Sequence, residues 1–279
     1  MLSGPAGSVP AVAVSEVARL PGACVWAVDC CAAHPGWSDV EVRDDRRFVL
    51  VRSGRFLRRI DGRESMFDRT VAYLGMPGEV EEFAHPCGGD RCTSISVRSG
   101  LWRAIAGDDW ALGRSDVYVD ARVDLLHRRL LLAGRIGDVD YALAEEIVRL
   151  VAVAAHAASQ GRSTGRRRGG LPDDAVAAAA RAAVLDDEPG SEGLIPLAER
   201  FGVSPFGLSR AFSAVMGVSL TRYRNRVRVG RALERIEHGD RDLAGLAADL
   251  GFSDQAHMTR TIRVHLGETP TALRMLLSA

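Results

Sequence analysis

Two segments in the last third of the chain repeat one another. LAERFGVSPFGLSRAFSAVMGVSLTRYR, Leu197 to Arg224, aligns over its full length with LAADLGFSDQAHMTRTIRVHLGETPTALR, Leu246 to Arg274, given one single-residue insertion in the second. Leu197 matches Leu246, Ala198 matches Ala247, Gly202 matches Gly251 and Ser204 matches Ser253. Beyond the insertion Arg210 matches Arg260, Gly217 matches Gly267, Thr221 matches Thr271 and Arg224 matches Arg274. Apolar positions correspond too: Leu208 with Met258, Phe212 with Ile262, Met216 with Leu266. One supersecondary unit written twice narrows the possible folds more than composition does.

Each copy has a physical reading. A short amphipathic helix ends at Gly202 or Gly251, which supplies a left-handed cap. Ser204 or Ser253 can then cap the next helix. The product is helix, tight turn, helix. The second helix turns Leu208, Phe212 and Met216, or Met258, Ile262 and Leu266, inward. Its outer face carries Phe206, Ser209 and Arg210 in one copy, and Asp254, Gln255, His257, Thr259 and Arg260 in the other. Arg is suited to guanine and Gln to adenine in a major groove, read from the start of a recognition helix. A long helix, about Ser219 to Glu237, joins the copies. It would span ~28 Å, compatible with adjacent major grooves ~34 Å apart. Arg222, Arg224, Arg226, Arg228, Arg231 and Arg235 on it form either a solvated face or a set of backbone-phosphate contacts.

LAERFGVSPFGLSRAF followed by GDRDLAGLAADLGFSDQAHMTRTIRVHLGETPTALR resembles the AraC/XylS family of bacterial transcriptional regulators, over about residues 172–279. The resemblance implies seven helices and two major-groove contacts by one monomer. By position it places Ser204, Phe206, Ser209 and Arg210, then Ser253, Gln255, Ala256, His257, Thr259 and Arg260, at DNA. It also implies an activator of transcription that works with RNA polymerase on double-stranded promoter DNA, as a homodimer. Two departures stand out. Gly207 lies inside the first recognition helix, where Gly costs ~1 kcal/mol against Ala. Ile262, Leu266 and Leu273 replace the family's usual aromatics, which makes that core smaller.

Residues 12–100 read as short strands: Cys24–Asp29, Phe48–Arg52, Phe56–Ile60, Thr70–Leu74 and Thr93–Val97, with Asp61-Gly62 as a hairpin turn. Such strands suggest a small barrel or sandwich. From Arg122 to His156 the spacing turns helical, giving two helices joined near Gly134–Asp140. Tyr141, Ala144, Val148, Val151 and Ala155 form a stripe that is either internal core or core plus dimer seam. GRFLRRIDGRE and PGEVEEFAHP resemble the cupin-type sensor domain common in the family. The expected fold class is therefore α+β. Its parts are a cupin-like β-barrel over residues 12–120, a helical dimerisation segment over 121–159, a basic linker over 160–171 containing Arg166–Arg168, and tandem helix-turn-helix units over 172–279.

All five cysteines, Cys24, Cys30, Cys31, Cys87 and Cys92, fall in the strand-rich region. Cys31, His34, His85 and Cys92 would supply a four-coordinate zinc site if the two segments meet. Thiol redox sensing and plain packing of small apolar cysteines stand beside that reading. So does a small organic effector in an apolar pocket. His127 and His156 read as surface or packing residues, and Trp26, Trp37, Trp102 and Trp110 as core or pocket-lining.

The formal net charge is zero, so charge alone does not announce nucleic acid. Every basic residue is Arg, which suits bidentate recognition. No stretch approaches the ~20 apolar residues of a membrane span, and no signal peptide is visible, so a cytoplasmic protein is expected. An enzyme is not expected: the paired-histidine cupin metal motif is absent, and nothing marks Glu79, Glu81 and Glu82 as a catalytic pair. A DNA-binding architectural protein without effector is the other alternative.

Overall fold

The computed structural model describes residues 12–31, 36–108, 115–137, 141–160 and 171–277. The interior of the expected linker, with Arg166–Arg168, and also His34 and Trp110, lie outside the described residues. The chain divides into two compact units: Met1–Val119 with Leu126–Arg162, and Asp120–Leu125 with Ser163–Ala279.

The first unit is built on two antiparallel sheets. One has six strands in the order β1 (Val12–Leu20), β2 (Ala23–Cys30), β9 (Asp90–Val97), β4 (Arg46–Ser53), β7 (Val71–Gly75), β10 (Asp116–Tyr118). The other has four, in the order β3 (Glu41–Val42), β8 (Val80–Ala84), β5 (Phe56–Ile60), β6 (Arg63–Phe67). The β5–β6 hairpin turns at Asp61 and Gly62, with φ of 49° and 73°, the double left-handed geometry that Asp-Gly favours. The sheets face each other through aromatic rings. Phe56 and Phe67 of one lie 6.2 and 5.1 Å from Tyr73 of the other. This is a double-sheet antiparallel architecture.

A buried charge network crosses the same interior. Arg58 ion-pairs with Glu81, and with Glu79 at 2.6 Å, and its guanidinium stands 4.1 Å over the Tyr73 ring. Arg47, from the facing sheet, also pairs with Glu81. Glu81 is 1% exposed, Arg58 2% and Arg47 4%, so water does not share the load. The half-buried pair Arg59–Glu82, at 2.7 Å, lies apart from this network with Arg59 over Trp37. Glu82→Ala should change stability by only ~0–1 kcal/mol, read as a small shift in a thermal melt.

Helix α1 (Ser99–Ala106) lies between β9 and β10, and α2 (Ala121–Ile136) and α3 (Ala142–Gln160) follow β10. The helical pair does not form a unit of its own: beyond the first turn of α2 it belongs with the sheets. His127 is buried there, its Nε2 2.8 Å from Thr93 Oγ1 on β9. The buried stripe of α3 is Leu143, Ile147, Leu150, Val151, Ala154, Ala155 and Ala158, which takes in Val151 and Ala155 of the expected stripe but not its earlier members. Tyr141 and Val148 are exposed, at 77% and 42%. Two stripes with helical spacing compete on this helix, and the one with more large aliphatics is the one buried.

The second unit contains, among the described residues, seven helices beyond the first turn of α2: α4 (Leu171–Leu185), α5 (Leu194–Arg200), α6 (Pro205–Met216), α7 (Leu220–Glu237), α8 (Leu243–Asp249), α9 (Gln255–Leu266) and α10 (Pro270–Leu277). Its cores are Leu208, Phe212, Met216 and Tyr223 in the first half, and Phe252, Met258, Ile262, Leu266 and Leu273 in the second.

Candidate nucleic-acid interface

The duplication is visible bond by bond. Helix α5 ends at a glycine with φ of 63°, and α8 at one with φ of 68°. In the first turn Gly202 N–H donates to Glu199 O and Val203 N–H to Ala198 O, both at 3.0 Å. In the second Gly251 N–H donates to Ala248 O at 3.0 Å and Phe252 N–H to Ala247 O at 2.9 Å. Each pair of bonds is the Schellman pattern that closes a helix and reverses the chain.

The following helices are capped, but not identically. Ser204 Oγ accepts from Gly207 N–H at 3.0 Å and starts α6 as expected. In the second copy the cap is Asp254, whose carboxylate accepts from His257 N–H at 2.6 Å, rather than Ser253. The inserted residue moves the helix start one position on. Ser253 instead donates to Asp254 Oδ2 at 3.2 Å, with His257 Nδ1 3.1 Å away. The His257 amide, the Ser253 hydroxyl and the charge of Arg260 hold the Asp254 carboxyl below its usual range. It is therefore ionised where the helix dipole favours a negative charge.

Gly207 sits in the first turn of α6. A Cβ there would meet the capping Ser204 Oγ at 3.0 Å, so its cost is smaller than for a mid-helix glycine. The second helices also end alike. Gly217 and Gly267 are left-handed at φ of 72° and 82°, and their N–H groups donate to Ser213 O and Arg263 O. Ser219 then caps α7, and Thr269 Oγ1 accepts from Ala272 N–H in α10.

Behind the exposed face, Leu208, Phe212 and Met216, and Met258, Ile262 and Leu266, are all buried, as the sequence pairing requires. The outward face holds the expected contact residues. Phe206, Arg210, Gln255, Ala256 and Arg260 are exposed, and Ser209, His257 and Thr259 are half-buried beside them. Phe206 is 79% exposed. Arg210 has one weak neighbour, Asp173 at 3.7 Å.

The arginines of α7 do not form one solvated or phosphate-binding set. Arg226 is buried and pairs with Asp124 of the same unit at 3.2 Å. Arg231 donates to Leu185 O at 3.1 Å and pairs with Asp187 at 3.4 Å. Arg235 bridges Asp240 and Asp249, and Arg228 stands 5.4 Å over the Phe252 ring. Arg222 is exposed and Arg224 half-buried, so the phosphate reading narrows to these two. Sequence spacing could not separate them, because partners from α4 and α8 are distant in the chain.

His265, near the end of α9, is half-buried, and burial plus the charges of Arg222 and Arg226 lower its pKa below 6.5, against a smaller opposing effect of Asp120. Its neutral form is therefore the one the fold accommodates. The stability it contributes is present above pH ~6.5 and is lost as pH falls through the lower folded-state pKa. Melting temperature should decline on that acid side, and His265→Gln should flatten the decline.

Of the expected zinc ligands, His34 lies outside the described residues, Cys31 is exposed, Cys92 is buried with its Sγ 2.8 Å from Asp90 Oδ2, and His85 has its Nε2 2.8 Å from Asp90 Oδ1. Among the described residues, Cys30, His85 and Asp90 are the group whose donor atoms come together. Cys30 and Asp90 carried no signal in sequence, since a cysteine beside a second cysteine and an aspartate opening a strand mark nothing until β2 and β9 pair.

Residues 197–275 match the family model described as a helix-turn-helix domain. Over 78 residues the chain is 31% identical to the HTH-type transcriptional activator RhaS of Escherichia fergusonii, a match that spans 28% of this chain and 28% of that protein. The C-terminal domain of AraT, a response regulator from Geobacillus stearothermophilus, is 23% identical over 36% of this chain and 84% of its own, with a TM-score of 0.34. ToxT from Vibrio cholerae is 9% identical over 92% of this chain and 100% of its own, with a TM-score of 0.38. The likeness therefore rests on the matched sequence together with the duplicated turns and caps. Residues 197–275 of this chain are thus similar to a helix-turn-helix domain, and the chain spans less than a third of the length of the transcriptional activator it matches.

Proposed function

We propose that this chain is a sequence-specific DNA-binding transcriptional regulator that acts as an activator at promoter DNA. The observation that carries the reading is the pair of equivalent second helices, each with a buried apolar face and an exposed arginine, Arg210 and Arg260, at the same position. Guanidinium groups there suit bidentate contacts to guanine, Gln255 suits adenine, and the exposed Phe206 ring suits a thymine methyl. The α7 connection, 18 residues and so ~27 Å long, is compatible with adjacent major grooves. Among the described residues no helix is long and apolar enough to cross a membrane. The same reading places the protein in the cytoplasm, as a homodimer working with RNA polymerase and catalysing no reaction. The double-sheet unit receives the signal.

The test is a competitive gel shift with DNA selected by the protein from a random pool. Arg210→Ala and Arg260→Ala should each weaken the selected site by ~1–3 kcal/mol and relax preference at one base position. Arg222→Ala should weaken all sequences evenly and lower the salt dependence. Wild-type protein that selects no sequence would favour an architectural DNA-binding role instead.

A further inference from the structure

We propose that the double-sheet unit holds one zinc ion on Cys30, His85 and Asp90. The three donors come from separate parts of one corner. Cys30 ends β2 and lies directly opposite Asp90, which opens β9. His85 follows β8, and the short connection His85 to Gly89 carries the chain back onto that strand pair. One ligand atom from each residue lies within 4.8 Å of the others, and all three residues are buried.

The corner is built for close approach. A Cβ on Gly89 would stand 2.0 Å from the Cys30 carbonyl oxygen. A Cβ on Gly54, at φ +74°, would stand 2.4 Å from the Gly89 carbonyl oxygen. Only glycine lets this connection press against the end of β2.

A second observation points to a ligand. Asp90 is 5% exposed, and its Oδ1 makes no hydrogen bond of acceptable geometry, although His85 Nε2 is 2.8 Å away. The other oxygen, Oδ2, is engaged by the Cys92 thiol at 2.8 Å, which fixes the carboxylate plane. Oδ1 and the imidazole nitrogen thus face one another in a buried corner with no well-aligned hydrogen bond between them, and a cation held by both serves each better than their mutual contact. Arg52, the nearby guanidinium, is committed to Asp29 at 2.8 Å.

The donor set selects the metal. One thiolate, one imidazole and one carboxylate suit zinc, and a sulfur ligand argues against magnesium or calcium. Two anionic ligands against a divalent ion leave the buried site neutral. Tetrahedral zinc–ligand bonds of ~2.0–2.3 Å set neighbouring donors ~3.3 Å or more apart, so the His85–Asp90 pair must open by about half an ångström on loading. Three protein ligands leave a fourth position for water or a small donor molecule, which would make the metal the place where a signal enters.

The test uses the full-length protein and reads metal, not DNA. Protein stripped with chelator and titrated with zinc against a chromophoric competitor should take up one ion per chain. Cobalt-loaded wild type should show a thiolate-to-metal charge-transfer band. Cys30→Ser should lose that band, and Cys30→Ser and Asp90→Asn should each weaken zinc at least tenfold. Cys31→Ser and Cys87→Ser, which change exposed residues outside the triad, should bind zinc like wild type. No uptake by stripped wild type, no charge-transfer band, or an equal loss in Cys31→Ser would overturn the assignment. Because no DNA is present, either result leaves the promoter-binding reading standing.

Discussion

Glu81→Ala is expected to cost the double-sheet unit ~3–5 kcal/mol, among the largest effects of any single change in the chain. The Glu81 carboxylate is 1% exposed and pairs with Arg58 of its own sheet and with Arg47 of the facing one. Removing it leaves two buried guanidinium groups with their main counter-charge gone. Glu79 continues to pair with Arg58 at 2.6 Å, which keeps the loss finite. Arginine does not escape by losing its proton, so the whole penalty falls on the fold. Calorimetry of the full chain should show the transition of this unit moving sharply down, while DNA affinity measured well below that transition stays as in wild type. A shift as small as that of Glu82→Ala would mean that water reaches the network.

Phe212→Ala should cost the helical unit ~3–5 kcal/mol. The ring is fully buried and meets Tyr223 edge-on at a centroid distance of 5.2 Å. It ties the recognition helix of the first copy to α7, so its loss leaves a cavity where α6 must be held rigid. Against a typical domain stability of ~5–15 kcal/mol, this is enough to abolish DNA binding near physiological temperature. Val264→Ala, on the 77% exposed outer side of α9, should move stability by no more than ~0.5 kcal/mol. If Phe212→Ala melted and bound DNA like Val264→Ala, the first copy would not depend on its buried face.

Helical structure was more legible in the sequence than the strands. Gly202 and Gly251 mark both turns because left-handed backbone is cheap only for glycine, and both are left-handed here. The apolar spacing from Leu208 to Met216 fixes which face of α6 is buried, since that helix has one strong stripe. On α3 two stripes compete, and the sheets it packs against decide between them. Strands β1 and β8 were not legible, and β6 only through the Asp61-Gly62 turn before it. VAVSEVARL and RESMF interleave charge with apolar residues, and VEEFA places Glu81 in the interior, where pattern reading expects a hydrophobe. Buried charge is invisible in one dimension because the arginines that neutralise it arrive from other strands. The same reason hid Asp254 as the second cap, since one inserted residue moves a helix start without changing the apolar pattern.

Hydroxyl-radical footprinting on the selected DNA tests most directly whether one chain engages duplex through two equivalent helices. Wild type should protect two patches on one face of the duplex, ~10 base pairs apart. Arg210→Ala should weaken one patch and Arg260→Ala the other. A single protected patch that both substitutions affect equally would contradict the account.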